Sequence, residues 1–239
     1  MALILNIETA TSVCSVSVSL NAKTIVLEET DEKNIHAEKI TQFIRNVLKE
    51  AGKGLSDMDA IAIGSGPGSY TGLRIGASTA KGLCYATGKP LIAVSTLEAM
   101  AEKAREETNS SLKVDFYCPM IDARRQEVYM AVYDASGFEV SKPEAKILDA
   151  TSFSGYLEQN KIAFFGDGMP KLKKLLELHQ PVTELKINGL HNVLWLDQIH
   201  ASAANMGALA EQAYIMGDFK DVAYFEPFYL KDFIGNNKY

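Results

Sequence analysis

The chain has 239 residues, 47% of them hydrophobic and 23% charged, with a formal net charge of -6. That is enough apolar material for one large domain or two lobes of roughly a hundred residues each, and it excludes disorder as the main state. The acidic balance argues against a protein that grips nucleic acid by itself, because such affinity comes chiefly from clustered Lys and Arg; any RNA role would need a basic partner.

The opening MALILNIETA reaches Asn6 and Glu8 too soon for a signal-peptide core, and no run approaches the ~18 apolar residues of a membrane span. Cys14, Cys84 and Cys118 are odd in number and have no CxxC spacing, which suggests core thiols in a reducing compartment. A cytoplasmic location is expected.

A strand is predicted at Leu3 to Ile7. Next, Cys14, Val16, Val18 and Leu20 alternate with Ser15, Ser17 and Ser19, a period of two that predicts a half-buried strand. Asn21-Ala22 turns the chain into a third strand at Thr24 to Glu28. Ile40, Phe43, Ile44, Val47, Leu48 and Ala51 then recur at helical spacing, and Gly52 follows as a C-cap. Burying those side chains is worth roughly 1.5 to 3 kcal/mol each, so this face meets either its own sheet or a partner.

The stretch IAIGSGPGSYTGLRIGASTAKGL, Ile61 to Leu83, carries the strongest signal. An apolar strand, Ala60 to Gly64, runs into a Gly-Pro-Gly-Ser turn and then a helix from Gly72. Gly64, Gly66 and Gly68 allow close backbone approach, either for an anion at the helix N-terminus or simply for a tight turn. It is neither a P-loop, lacking Gly-Lys-Ser/Thr at Walker spacing, nor a dinucleotide loop, since Ser69 stands where the third glycine would. Gly72, Gly76, Ala77 and Ala80 flatten one helix face, against which another helix is expected to dock. Ser69 and Thr71 are expected to cap the helix. A strand at Pro90 to Val94 and a helix opened by a Ser95 to Glu98 capping box complete a half whose order is βββαβαα or close to it, depending on how the Pro90 strand is counted.

The second half repeats much of that order. Strands are predicted at Val114 to Ile121, through Val128, Met130 and Val132, and in a region ending near Leu148. A short helix at Thr151 to Gln159, a strand at Ile162 to Phe165, a helix at Pro170 to Leu178, a weak strand at Thr183 to Ile187 and a longer helix at Ala201 to Met216 follow. A three-strand meander followed by alternating helix and strand, occurring twice, predicts an α/β fold of two ribonuclease-H-like lobes. The divisions are 1–105, 106–200 and a C-terminal helix and tail at 201–239 packing back on the first lobe, with Lys103 to Lys113 as linker.

ILNIETATSVCSVSVSL, GSGPGSYTGLRIGASTAKGL, MIDARRQEVYMAVY, the GDG at Gly166 to Gly168 and EPFYLK together resemble the bacterial TsaB family, densest between Ile61 and Ser95. The resemblance implies the fold of the actin, Hsp70 and sugar-kinase superfamily. It also implies a role in making threonylcarbamoyladenosine at position 37 of tRNAs reading codons that begin with A. In that family TsaB is a non-catalytic paralogue of TsaD, which transfers the threonylcarbamoyl group, and TsaE, a small ATPase, joins the pair. Implied partners are therefore TsaD directly, TsaE, a second copy when TsaD is absent, and tRNA only through the complex. No cofactor is implied for the chain alone, with ATP reserved for the interface of the complex. Glu8 stands where many members have Asp, and Lys231 where many have Arg.

Each catalytic alternative meets an obstacle in the residues. His36 is followed at i+4 by Ile40, so the HxxxH pair of TsaD-like metal sites is missing and no metal site is expected. Phosphotransfer would rest on Glu8 and Thr9, with Gly66, Gly68 and Ser69 as nucleotide contacts, but the Ala10 turn lacks the glycine that lets a hairpin fold over phosphates. An ATP-dependent phosphotransferase using Glu8 is the rival reading. GPGSYTG is not a nucleophile elbow, which removes the basis for a peptidase. Arg124 and Arg125 are either solvated hairpin charges or a contact surface for a partner or for tRNA phosphates. The expected partner-docking residues are Ile40, Phe43, Ile44, Val47, Gly72, Gly76, Ala77 and Ala80, and a large charge at Ala77 or Ala80 is expected to abolish heterodimer formation with the fold intact.

Overall fold

A computed structural model describes residues 1–32, 35–108, 113–178 and 192–231. Two mixed five-stranded sheets organise the chain. Strands β1 (Leu3–Glu8), β2 (Cys14–Leu20), β3 (Lys23–Thr30), β4 (Ala60–Gly64) and β5 (Leu91–Val94) form the first in the order β3-β2-β1-β4-β5. The second, β10-β9-β6-β7-β8, is built from β6 (Phe116–Asp122), β7 (Glu127–Asp134), β8 (Glu139–Ile147), β9 (Ile162–Phe165) and β10 (Val193–Leu196). Each sheet pairs an antiparallel three-strand meander with two parallel strands, the ribonuclease-H-like order expected from the element pattern.

Helices α1 (His36–Glu50) and α2 (Tyr70–Thr87) cover one face of the first sheet, and α6 (Gly207–Met216) covers the other. Helix α3 (Thr96–Thr108) lies between the sheets: Leu97, Met100, Ala101 and Ala104 join the second core while Ala99 packs on the first. The short α4 (Ser154–Leu157) and α5 (Met169–Leu178) cover the outer face of the second sheet around Phe153, Phe164 and Trp195, whose rings meet 4.9 and 5.5 Å apart. Helix α1 ends as its glycine predicts: Gly52 takes φ +63° and donates to the Lys49 carbonyl, and Lys53 donates to that of Leu48.

Several expectations change at the tertiary level. Strand β2 is buried on both faces, because a 3₁₀ turn at Ala203–Asn205 lies over the serine side, with the Ala203 N–H donating to Ser15 Oγ and Ser17 Oγ donating to the Ala203 carbonyl. The same turn breaks the expected Ala201 to Met216 helix, and Gly207 starts α6 where a Cβ would sit 2.4 Å from the Ala22 carbonyl. Lys103 to Thr108, expected as linker, is the end of α3, with Ala104 and Thr108 buried. Strand β10 was not predicted, and the expected Thr183 to Ile187 strand lies outside the described residues.

Beyond α6 the chain returns along the first lobe. The Lys220 N–H donates to Leu91 on the β5 edge, Lys81 Nζ donates to the carbonyls of Ala223 and Phe225, and the Phe228 N–H donates to Ser65. Lys231 ends on the second sheet as an ion pair with Glu127.

Candidate functional site

The glycine loop serves its own lobe. A Cβ at Gly68 would stand 2.2 Å from the Ala10 carbonyl oxygen, one at Gly72 2.1 Å from that of Thr9, and one at Gly76 2.3 Å from Thr9 Oγ1. The Ser69 N–H donates to Ala10 at 2.7 Å, and Ser69 Oγ accepts from the Gly72 N–H, so Ser69 caps α2 while Thr71 sits inside it. The missing side chains let α2 press its flat face onto the β1–β2 turn. Ala77 and Ala80 lie on that same inner face, Ala80 with no exposure at all. The expectation that Gly72, Gly76, Ala77 and Ala80 receive another helix is therefore corrected: close packing was rightly inferred, but its partner is the chain's own hairpin. A charge at Ala80 would enter the core and cost the fold.

Ile40, Phe43, Ile44 and Val47 are likewise committed to the first sheet, all buried in one cluster with Leu5, Ile7, Val16 and Ile61. They are corrected as docking residues for the same reason: an amphipathic helix buries its apolar stripe on the nearest sheet. The faces of both helices turned to solvent carry other residues. On α2 these are Thr71, Arg74, Ser78, Gly82 and Tyr85, with Tyr85 89% exposed. A Cβ at Gly82 would meet nothing within 4 Å, so no contact among the described residues calls for a glycine in the middle of this helix.

Glu8 is only 1% exposed. Its Oε1 accepts from the N–H groups of Thr9 and Ala10, each at 2.8 Å, and its Oε2 accepts from the Thr96 hydroxyl at 2.9 Å. Thr96 Oγ1 in turn accepts from the Gly66 N–H, tying β1, α3 and the glycine loop together. Gly64 makes room for this carboxyl, since a Cβ there would lie 2.2 Å from Oε2. Burial raises the Glu8 carboxyl above its usual range, opposed by the hydrogen bonds from Ala10, Thr96 and Thr9. Thr9 is fully buried, and its hydroxyl has no hydrogen-bond partner among the described residues. Gly66 is covered by the tail, with the Phe228 carbonyl 3.1 Å from where its Cβ would be.

A cleft of about 710 Å³ opens between the lobes. The first lobe lends it the Thr11-Ser12 turn, His36 and the start of α2, whereas Glu8, Thr9 and Gly66 do not line it. Gly68 and Ser69 do, with Gly68 already closed against Ala10. His36 Nε2 is bound to the Thr11 carbonyl at 3.0 Å, which gives this buried histidine a structural task. Across the cleft stand Asp122, Arg124, Tyr129 and Asp167. Asp122 Oδ1 accepts from Lys171 at 2.7 Å and from the Arg124 N–H at 2.6 Å, and Asp167 accepts from the Asp122 N–H at 3.1 Å. Enclosure raises the Asp167 carboxyl, with the Asp122 charge adding to it, although part of the side chain reaches solvent.

Three tyrosines from distant parts of the chain share this cleft: Tyr70, Tyr129 and Tyr229. The rings of Tyr70 and Tyr229 are 5.0 Å apart, and Lys231 Nζ lies 6.0 Å from the Tyr129 ring. No sequence signal singled them out, because nothing local says that positions so far apart converge. Among the described residues no group of three or more His, Cys, Asp or Glu side chains is placed to hold a metal ion.

Residues 28–233 match the family described as TsaD, tRNA N6-adenosine threonylcarbamoyltransferase. The tRNA threonylcarbamoyladenosine biosynthesis proteins TsaB of Haemophilus influenzae and Escherichia coli are 37% and 40% identical over 128 and 130 residues. Each match covers 54% of this chain. YeaZ from Pseudomonas aeruginosa is 26% identical, and its structure superposes over 96% of this chain and 100% of its own with a TM-score of 0.76.

The chain belongs to the TsaB family. It spans about half the length of the curated TsaB relatives it matches, 52% and 54%. TsaB membership and the two-lobed α/β fold agree with the sequence resemblance. No helix among the described residues is long and apolar enough to cross a membrane.

Proposed function

We propose that this TsaB-family chain is a non-catalytic subunit for threonylcarbamoyl transfer to tRNAs reading codons that begin with A, and that it acts by docking on TsaD and holding it in an active shape. The observation that carries the reading is the solvent-facing side of α2. There Gly82 sits in a helix interior, at a cost of roughly 1 kcal/mol relative to Ala, with nothing among the described residues to require it. Ser78, Gly82 and Ala86 keep that side low at four-residue spacing, and Tyr85 beside them stands free to fill a partner's groove. TsaD occupies this face in the working complex, TsaE joins the pair, and a second copy of the chain occupies it in isolation. ATP belongs to the interface of that complex, in the cytoplasm.

The same geometry argues against the phosphotransferase alternative. Where phosphates would lie, Gly68 is packed against Ala10, and Glu8 spends its carboxylate on Thr9, Ala10 and Thr96. The test is threonylcarbamoyl transfer to tRNA by purified TsaD, TsaE and the threonylcarbamoyl-adenylate-forming enzyme, with and without this chain. Activity that appears only when the chain is added, and none from the chain with the adenylate alone, is the expected result. Equal activity without it refutes the subunit role.

A further inference from the structure

We propose that the segment from Lys220 to Lys231 is a releasable strap across the interlobe cleft. It is fastened to the first lobe along its length and pinned to the second through Lys231, so that the Lys231–Glu127 pair sets how far the cleft opens. The fastening to the first lobe is extensive. The Lys220 N–H donates to the Leu91 carbonyl at 2.8 Å, Lys81 Nζ donates to the carbonyls of Ala223 and Phe225 at 3.0 and 3.1 Å, and the Phe228 N–H donates to the Ser65 carbonyl at 2.8 Å. Val222 and Phe225 pack against the first core, Pro227 is buried, and the Tyr229 ring rests against Tyr70 at the start of α2.

The hold on the second lobe is of a different kind. Lys231 pairs with Glu127 on β7, and its ammonium lies 6.0 Å from the ring of Tyr129 on the same strand. The side chains of Lys231 and Glu127 remain 39% and 20% exposed. An ion pair still reached by water is weak and screened by salt, whereas backbone hydrogen bonds and buried apolar side chains are not undone that way. When the lobes are pulled apart, the strap therefore lets go at Lys231 first, and the rest of it stays with the first lobe.

The place of the strap gives that release a consequence. Tyr229, Leu230 and Lys231 line the cleft together with Asp122, Arg124 and Tyr129 of the second lobe. Elsewhere the lobes are joined through their cores: α3 puts Leu97 and Met100 into the second core and Ala99 into the first, and the crossing at 201–203 buries Ala201 in the second and Ala203 in the first. Those apolar joints form the pivot, and the strap is the fastening that opens in water. With the pair made, the cleft is held at about 710 Å³; with it broken, the lobes swing apart and the cleft widens while both cores stay intact. The inference does not depend on docking to TsaD, because it is read out on this chain alone.

The test is the distance between the lobes, measured by double electron–electron resonance. Cys14, Cys84 and Cys118 are buried, and burial raises all three thiols, so nitroxide labels go to cysteines introduced at exposed sites. The labelled full chain carries Glu38→Cys on α1 and Lys174→Cys on α5, and it is diluted into an excess of unlabelled chain so that only distances within one molecule are read. With the native strap a single narrow distribution is expected. Lys231→Met and Glu127→Gln each add longer distances that the native strap lacks, Lys231→Arg keeps the narrow distribution, and the Met–Gln double variant is no broader than either single one, as for two halves of one contact. Raising salt from about 50 to about 500 mM broadens the native distribution and leaves that of Lys231→Met unchanged. The inference is overturned if Lys231→Met and Glu127→Gln keep the narrow distribution, which would show that the cores alone fix the lobes. It is also overturned if the double variant is broader than both singles, which would show that the two side chains act separately.

Discussion

Gly82 offers a perturbation whose effects on the chain and on its proposed complex have opposite signs. It is the thirteenth residue of the eighteen-residue helix α2, its φ is not in the left-handed region, and among the described residues an added Cβ meets nothing within 4 Å. Gly82→Ala therefore stabilises the isolated chain by about 0.8 to 1.0 kcal/mol, the helix-propensity difference. For a domain of this size that is a rise of roughly 2 to 4 °C in melting temperature. Gly82→Gln keeps most of that gain, because Gln is a good helix former, yet it raises a long side chain from a surface proposed to admit another helix. The assays are thermal melting of the chain, copurification with tagged TsaD, and threonylcarbamoyl transfer. The expected outcome is a chain that melts higher and no longer copurifies. A Gly82→Gln chain that binds TsaD at wild-type yield and supports full transfer refutes the docking face, and a fall in melting temperature for Gly82→Ala refutes the placement of Gly82 on an open helix surface.

Two further predictions concern pH. Because burial raises the Glu8 carboxyl in the fold, the folded chain binds that proton more readily than the unfolded one. Its contribution to stability is full below about pH 4.5 and is lost as pH rises through the raised value; Glu8→Gln, which can still accept from Thr9 and Ala10, removes that loss, seen as a smaller drop in urea midpoint between pH 4.5 and 7.5 than in wild type. His200 lies 3.4 Å from Glu29, which is also bound to the Ser202 hydroxyl. Glu29 raises the His200 imidazolium and His200 lowers the Glu29 carboxyl. The pair contributes fully between the ordinary Glu and His values, about pH 4.5 to 6.5, loses the Glu29 part as pH falls and the His200 part as it rises. His200→Gln should flatten the decline above pH 6.5, and an unchanged urea-midpoint profile would show that the pair does not couple to folding.

Sequence alone determined a good deal here, and what it determined is local. Period-two strands, the helical spacing of Ile40 to Leu48, the glycine ending α1 and the Ser69 cap all follow from neighbouring residues and appear in the structure close to where the spacing puts them. The glycine stretch was legible as close backbone packing for the same reason: a missing Cβ is visible in the sequence. Which surface fills the vacated space was not. Only the tertiary structure decided that α2 lays Gly72, Gly76 and Ala80 on its own hairpin and presents Gly82 outward, that the serines of β2 are roofed by Ala203, and that Glu8 is a brace with no face on the cleft. Periodicity marks which side of an element is buried but carries no name for what buries it, and side chains such as Tyr70, Tyr129 and Tyr229 meet only once two sheets and a returning tail have been assembled around one cleft.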